Sequence, residues 1–400
     1  ALPGVGVFGT GITAKLMIHL LKTSGFRIEA LWGRTEDEAK ELASLLDIPF
    51  STCSIDDVLL NQNVDLVCIN CPPFLHSQIA VKTLGIGKNV LCERPAGLDQ
   101  DDTTRMLKAA LYYPSLMSLM TYHLRFLPTF MEMKQQVGDG NIGELLVVEV
   151  RVHSGVSLNI NYNWSHDSKM GGGVLTNLGG HFVDIVNFVS GQRAVKVHGF
   201  VTTFQKQTAK VSGFREVTSD DFCTFQMKMD QGACCTCVLN NNIPGKFSYE
   251  VLFIGTSACL IVKDGVLLRQ SRVSGNSAAV QEIITKDCQD TPEGLETIFP
   301  SEVLAQIPVP LCQGTSEFIN SLKNSFQVQN DRRNWNKTIL DRAATFEDAL
   351  YVQTVLESIR RSSQTSDWEK VAHIEQKPMN KDTLLQSIKE VPTTNSTVYC

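Results

Sequence analysis

Between residues 3 and 95, short apolar runs alternate with stretches whose apolar positions recur at helical spacing. Residues 5–9 are a short apolar run that predicts a strand, and 14–22 predict a helix. Residues 26–33 predict the next strand, followed over 36–46 by a helix that opens on acidic side chains. Residues 64–70 are apolar almost without a break, as expected of a strand buried on both faces of a parallel sheet. A helix with Ile79, Ala80, Val81 and Leu84 on one face follows, closed by Gly85 or Gly87, and 89–92 predict a further strand. Strand and helix alternating in this way predict half of a doubly wound α/β sheet.

Beyond about residue 120 the rhythm changes. Residues 145–153, 194–204, 222–229, 233–240, 248–255 and 259–263 read as long strands with few helices between them, predicting a large, mostly antiparallel sheet. Helices are expected over 128–136, 179–188, 314–326 and 344–362. Residues 270–310 are polar and irregular and read as a surface excursion, and 375–400 as a polar tail. So few helices cannot cover both faces of the sheet. An exposed apolar sheet face is an association surface, so a homodimer through it is expected, with a tetramer as the alternative.

Composition narrows the class. The 400 residues are 43% apolar and 20% charged, with 28 Gly and 14 Pro, which excludes collagen-like and disordered chains. Lys and Arg number 36 against 42 Asp and Glu, and there is no basic stripe, so no nucleic-acid partner is expected. The longest apolar stretches, such as 251–262 with its Gly255, Thr256 and Ser257, fall short of the ~18 residues of a membrane span, so no membrane partner is expected. The first 21 residues lack a basic start and an A-x-A-like cleavage site, and read as folded strand and helix rather than a leader. Of the 12 cysteines, Cys68, Cys71 and Cys92 and the Cys234-Cys235-Thr236-Cys237 run sit in strand-like segments. They read as thiols filling a core in a reducing compartment, so the expected location is cytoplasmic. His153 and His166 make no metal spacing with each other, and no metal site is expected. The sequons at Asn163, Asn336 and Asn395 would matter only in a secreted chain.

Gly9-Thr10-Gly11-Ile12-Thr13-Ala14 is a G-x-G-x-x-A that follows an apolar strand and opens a helix. The first glycine allows the tight turn, the second lets backbone approach a pyrophosphate, and the helix start offers N–H groups to the phosphates. The fold class expected is therefore α/β, a Rossmann doubly wound parallel sheet over 1–120, followed by an α+β domain with a large, mostly antiparallel open-faced sheet over 121–375. The final helix, 344–362, is expected to pack back on the first domain, and 376–400 form the tail. A NAD-preferring site places Asp or Glu about 20 residues past the glycines. Here that place holds Gly33, Arg34 and Thr35. A guanidinium grips a 2′-phosphate that a carboxylate would repel, so NADP is favoured, with NAD as the alternative. The plainer alternative is a solvated arginine at a strand end.

Further motifs carry a resemblance. Val64-Asp65-Leu66-Val67-Cys68-Ile69-Asn70-Cys71-Pro72-Pro73-Phe74-Leu75-His76 resembles the "VD-x-V-x-I-x-x-P-P-x-x-H" segment of the Gfo/Idh/MocA oxidoreductase family. Gly87-Lys88 through Glu93-Arg94-Pro95 is similar to its "GK-x-V-x-x-EKP". Arg125-Phe126-Leu127-Pro128 with Asn141-Ile142-Gly143-Glu144 resembles "RF-x-P…G-x-IGE", and Gly171-Gly172-Gly173 through His181, Asp184 and Gly191 resembles "GGG-x-x-x-D-x-G-x-H-x-x-D…G". The resemblance runs from about residue 4 to about 375. LPGVGVFGT, LWGRT and SSQTSDWE point within it to the animal glucose–fructose oxidoreductase domain-containing proteins.

The resemblance implies hydride transfer between a nicotinamide and a carbinol carbon of a sugar, cyclitol or related polyol. It implies a cofactor site at Gly9, Thr10, Gly11, Ile12, Arg34, Thr35, Cys71, Pro72, Pro73, Leu75, His76, Glu93 and Arg94, and substrate contacts at Tyr122, Arg125, Trp164 and Asp184. The family's catalytic Lys, Asp and His positions map to Arg94, Asn177 and His181, so only the histidine is kept. Histidine, with an ordinary pKa of about 6.5, can take the hydroxyl proton at neutral pH. Arg94 cannot shuttle a proton but can polarise a carbonyl or stabilise an alkoxide. Asn177 can position a hydroxyl but brings no charge to an imidazolium. Outside the family frame His181 reads as a packed core histidine, His76 as a helix cap, and Tyr122, Tyr162 and Trp164 as core aromatics. Two functions stay open: an NADP-dependent oxidoreductase, or a dinucleotide-binding protein with a degenerate site acting as a sensor, scaffold or matrix-associated partner. The second implies secretion to the extracellular matrix as the alternative location.

Overall fold

The computed structural model describes residues 2–155, 162–207, 216–245, 247–271, 281–305, 307–327 and 332–372, so the expected tail over 376–400 lies outside them. The described residues form two compact units, one of 2–122 with 315–350 and one of 123–314 with 351–372. Residues 315–350, placed by the sequence pattern with the sheet domain, therefore belong to the first unit.

In the first unit, β1 (Gly4–Phe8), β2 (Arg27–Trp32), β3 (Ser51–Thr52), β4 (Leu66–Ile69), β5 (Asn89–Cys92) and β6 (Ser118–Met120) run parallel, and β15 (Ala344–Thr345) adds an antiparallel edge. The seven strands are ordered β15-β6-β5-β4-β1-β2-β3, a Rossmann-type sheet whose strand order reverses between β1 and β4. Val5, Val7, Leu66, Val67, Ile69 and Val90 are buried, as a central parallel sheet requires. The connecting helices are α1 (Ile12–Thr23), α2 (Glu36–Leu45), α3 (Ile55–Leu60), α4 (His76–Gly85) and α5 (Gln100–Tyr112). Thr35, Ser54 and Asp99 cap α2, α3 and α5 by accepting a backbone N–H three residues on.

The second unit holds α6 (Pro128–Gly138), β7 (Leu145–His153), α7 (Gly180–Ser190), β8 (Ala194–Thr202), β9 (Phe222–Met229), β10 (Cys234–Asn240), β11 (Ser248–Gly255), β12 (Ala258–Lys263), β13 (Val266–Ser271), β14 (Gln281–Lys286), the short α8 (Ser301–Leu304) and β16 (Glu369–Lys370). α9 (Val309–Gln327) and α10 (Phe346–Thr365) each run from one unit into the other. The nine strands are ordered β14-β13-β12-β11-β7-β10-β9-β8-β16. All neighbours are antiparallel except β10 and β7. The expectation of an irregular stretch over 270–310 is corrected by β14. Its Gln-Glu-Ile-Ile-Thr-Lys pairs with β13 as a sheet edge, and Asp287 just beyond it accepts from the Thr129 N–H and hydroxyl. One face of the sheet is core, with Val150, Cys237, Leu239, Tyr249, Val251 and Phe253 buried. The other carries Leu146, exposed by 38%, Ile283, exposed by 56%, and half-buried Leu252, Ile254, Ile261 and Leu268. No helix among the described residues is long and apolar enough to cross a membrane.

Candidate active site

The residues expected at the cofactor site all follow the C-terminal ends of parallel strands in the first unit, where an open α/β sheet binds its ligands. Gly9 ends β1 at the reversal of strand order with φ +127°, and a Cβ there would stand 2.6 Å from the Asn70 carbonyl oxygen, so only glycine fits. A Cβ on Gly11 would meet nothing within 4 Å, so the approach to the turn is open. α1 starts at Ile12 with no side chain capping its first N–H groups. These uncapped donors fit a pyrophosphate. Asn70, after β4, has both amide atoms of its side chain buried without a hydrogen-bond partner, a second feature that fits a polar cofactor there.

Arg34 and Thr35 follow β2. Thr35 caps α2, and the exposed Arg34 donates from Nη2 to Glu38 Oε1 at 2.7 Å. The sequence reading had no carboxylate beside Arg34; the structure corrects this, because one helical turn brings Glu38 onto it. Cys71, Pro72, Pro73, Leu75 and His76 follow β4. His76 is 1% exposed, with Nδ1 2.7 Å from the Pro95 carbonyl oxygen and Nε2 2.7 Å from that of Cys71. It ties the two loops that carry the cofactor residues rather than capping α4. Burial holds its pKa below the ordinary histidine value, against the pull of the two carbonyls, Glu93 and Asp102. Glu93 is buried after β5, accepts from the Thr121 hydroxyl at 2.7 Å and lies 3.7 Å from Arg94 Nε. Burial lowers the Arg94 pKa, with Glu93 and Tyr122 opposing it.

The second unit gathers His123, Arg125, Asn177, His181 and Asp184. Arg125 and Asp184 were expected to touch substrate. In the structure they form a bidentate pair, Nε to Oδ2 at 2.8 Å and Nη2 to Oδ1 at 2.5 Å, with side chains 6% and 1% exposed and Phe188 under the guanidinium. That pair fastens the turn His123–Phe126 to α7 and sets the His123 and His181 rings 6.2 Å apart, both buried. Asn177 lies in a π-helical turn, Leu175–Gly179, that runs into α7. The turn is fixed by Asp220, which accepts from Leu175 N and pairs with Arg360 Nη1, each at 2.7 Å, while Arg360 Nη2 donates to Thr176 at 2.8 Å. Asn177 lines a cavity of about 60 Å³ with Ser165, His166, Asp220, Asp221 and Asn241. Trp164 starts the short turn Trp164–His166, whose His166 stacks on Tyr162 at 5.4 Å.

Four contributors escaped the sequence reading: Glu38, Asn70, His123 and the Asp220–Arg360 pair. Glu38 stood one turn after Arg34 and His123 two residues before the RF-x-P motif, so both were within reach. Nothing in the spacing signals that Asp220 meets Arg360.

Residues 4–117 match the model of an oxidoreductase family with an NAD-binding Rossmann fold, and residues 130–261 match the GFO/IDH/MocA C-terminal domain. The chain is 50% identical over 377 residues to mouse glucose-fructose oxidoreductase domain-containing protein 1, covering 94% of each. It shares its fold with levoglucosan dehydrogenase solved with NADH and L-sorbose, at TM-score 0.74 and 18% identity over 93% of this chain and 99% of that one. It shares it equally with a super-repressor mutant of Gal80p from Saccharomyces cerevisiae, at TM-score 0.74 and 14% identity over 94% and 100%. On the strength of its relative and of both matched regions, the chain belongs to the Gfo/Idh/MocA oxidoreductase family.

Proposed function

We propose that the chain is an NADP-dependent oxidoreductase moving hydride between the nicotinamide and a carbinol carbon of a sugar-like or cyclitol substrate, with NAD as the alternative cofactor. The observation that carries the reading is the Gly9 turn at the reversal of strand order, with its uncapped α1 and orphaned Asn70. The bound nicotinamide supplies the hydride acceptor or donor. The α1 N–H groups hold the pyrophosphate, His181 takes the hydroxyl proton, Asn177 hydrogen-bonds a hydroxyl, and Arg94 stabilises negative charge on oxygen. The cavity beside Asn177 supports a polyol. Its walls, with Ser165, His166, Asn177 and Asn241 among them, can donate and accept. Native mass spectrometry of purified protein, identifying the dinucleotide that travels with it, tests the cofactor; a chain that neither carries nor takes up either dinucleotide would end the reading.

Cofactor choice turns on Arg34. Its exposed pair with Glu38 contributes only about 0.3–0.5 kcal/mol, so a 2′-phosphate displaces the carboxylate at small cost. Arg34→Ala is expected to weaken NADP(H) about tenfold and leave NAD(H) unchanged, and Glu38→Gln to strengthen NADP(H) several-fold. Equal wild-type affinities in a fluorescence titration of both dinucleotides would contradict NADP preference.

The substitutions at Arg94 and Asn177 favour a second reading, a dinucleotide-binding sensor, scaffold or matrix-associated protein without turnover. That a Gal80p repressor has this fold supports it. For location we propose the cytoplasm, with secretion as the alternative. Buried Cys68 and Cys235, whose thiol pKa burial pushes up to about 12, fit a reducing compartment.

We also propose a homodimer through the open sheet face, with a tetramer as the alternative. Leu252, Ile254, Ile261 and Leu268 lie side by side there, with Leu252 opposite Ile261 and Ile261 opposite Leu268. Light scattering at micromolar concentration is expected to report a dimer for wild type and a monomer for Ile261→Arg. A monomeric wild type would refute the interface.

A further inference from the structure

The cavity beside Asn177 lies wholly within the second unit, and its polar lining is unbalanced. Asp220 and Asp221 line it, and no lysine or arginine does so among the described residues. Arg360, which is not part of the lining, meets Asp220 Oδ1 at 2.7 Å. Asp221 accepts backbone N–H groups, from Phe204 at 3.0 Å and from Gln205 at 2.7 Å, and pairs with no cation among the described residues. His166 adds no charge, because its Nδ1 accepts from the Asn163 N–H at 3.1 Å, as a neutral imidazole does. Two carboxylates against one guanidinium leave the walls negative. An ionised carboxylate has about four lone-pair sites, and Leu175 N–H and Arg360 fill two of those on Asp220. The Oδ1 atoms of Asn241 and Asn242, also in the lining, are buried and accept no hydrogen bond among the described residues. Buried acceptors in that state are rare unless a ligand or water completes them.

Acceptors in excess, with negative charge behind them, suit a ligand group that only donates. An ammonium donates three times, a hydroxyl once, and an ionised carboxylate or phosphate only accepts. We propose that the polyol taken at this site carries a primary ammonium, as an amino sugar or amino cyclitol does. The proposal rests on the oxidoreductase reading for the polyol and adds the charged group to it. The ammonium is held by Asp220, Asp221, Asn241 and Asn242, and hydroxyl groups of the same ligand are left to Asn177. Hydrogen bonds between charged partners are roughly twice as strong as neutral ones, so the ammonium decides which polyol is retained. The same charge turns away phosphorylated and carboxylated sugars.

Calorimetry on the whole chain with NADP(H) present compares glucosamine, kanosamine and scyllo-inosamine with glucose and scyllo-inositol. Side-chain amide NMR of Asn241 and Asn242 places the binding. At least one amine is expected to bind about tenfold to a hundredfold tighter than its neutral parent, to shift both amides, and to weaken as salt rises. Glucuronate is expected not to bind. Asp221→Asn keeps an oxygen for the Phe204 and Gln205 N–H groups and removes the charge, so it should abolish the amine's advantage over its parent. Asn242→Ala should reduce that advantage several-fold. The wild-type comparison needs neither variant to fold. Parents that bind as tightly as every amine, amine shifts that spare Asn241 and Asn242, no amine binding at millimolar concentration, or an undiminished advantage in Asp221→Asn would each overturn the proposal. Neutral polyols that bind and turn over without an amine advantage would overturn it and leave the oxidoreductase reading standing. A chain that takes up no dinucleotide ends that reading, and the ammonium site then stands or falls on the Asn241 and Asn242 shifts.

Discussion

His181→Ala is expected to lower polyol turnover about 10²–10⁴-fold while leaving dinucleotide affinity unchanged. The residues offered to the dinucleotide belong to the first unit, whereas His181 sits in the first turn of α7 in the second. Only a neutral imidazole accepts the hydroxyl proton, so wild-type oxidation should rise with pH as histidine deprotonates and the variant should lose that dependence. The complementary test restores the family pair, Arg94→Lys with Asn177→Asp. Lysine can give and take a proton, and a carboxylate can stabilise the imidazolium, so turnover increases if those two positions limit it. The double variant must be compared with each single one, because groups serving one reaction couple. Turnover by His181→Ala at the wild-type rate would remove the histidine from the mechanism. A wild type that binds dinucleotide but is silent across sugars, cyclitols and their keto forms establishes the binding-protein reading. A gain from the restored pair alone then marks a disabled site on an intact fold.

Asp184→Ala is expected to destabilise the second unit by about 3–5 kcal/mol, because it removes the carboxylate that pairs with the Arg125 guanidinium in a site that is 6% exposed. For a unit of this size that is roughly 6–20 °C in Tm. Replacing both partners, Arg125→Met with Asp184→Leu, removes the buried charge altogether and should cost far less than the single change. Thermal melts of the three proteins decide it. A loss under about 1 kcal/mol for Asp184→Ala would mean that water reaches the guanidinium and that the pair does not fasten the His123 turn to α7.

Local pattern reached much of this fold. β5, β7, β9 and β11 stand where alternating or continuous apolar runs predict them, because each buries one or both faces. β3 and β15 have two residues each, too few for any period. α5 went unread because its buried apolar side chains are only Met106, Leu107 and Ala109 in a polar helix. β14 is an edge strand whose side chains are mostly exposed, so no alternation marks it. The candidate site was legible where the signal is local, as at the Gly9 turn, whose G-x-G-x-x-A motif is contiguous. It was not legible where partners are distant. Nothing in one dimension shows that Arg125 and Asp184, 59 residues apart, form a pair.

The edge strand β15 has a consequence for how the chain is made. Strands β1 to β6 all lie within the first 120 residues, but the partner of β6, in register Ala344 to Met120 and Thr345 to Leu119, is translated more than 200 residues later. At ~5–20 residues per second the emerging chain holds that edge unpaired for roughly 10–45 s, while the whole of 123–314 is still being made. An unpaired strand edge templates association with other chains. The nascent polypeptide is therefore most exposed to misassembly, and most in need of a chaperone, in the interval between the two partners, and a fragment ending at residue 120 carries the open edge of β6 permanently.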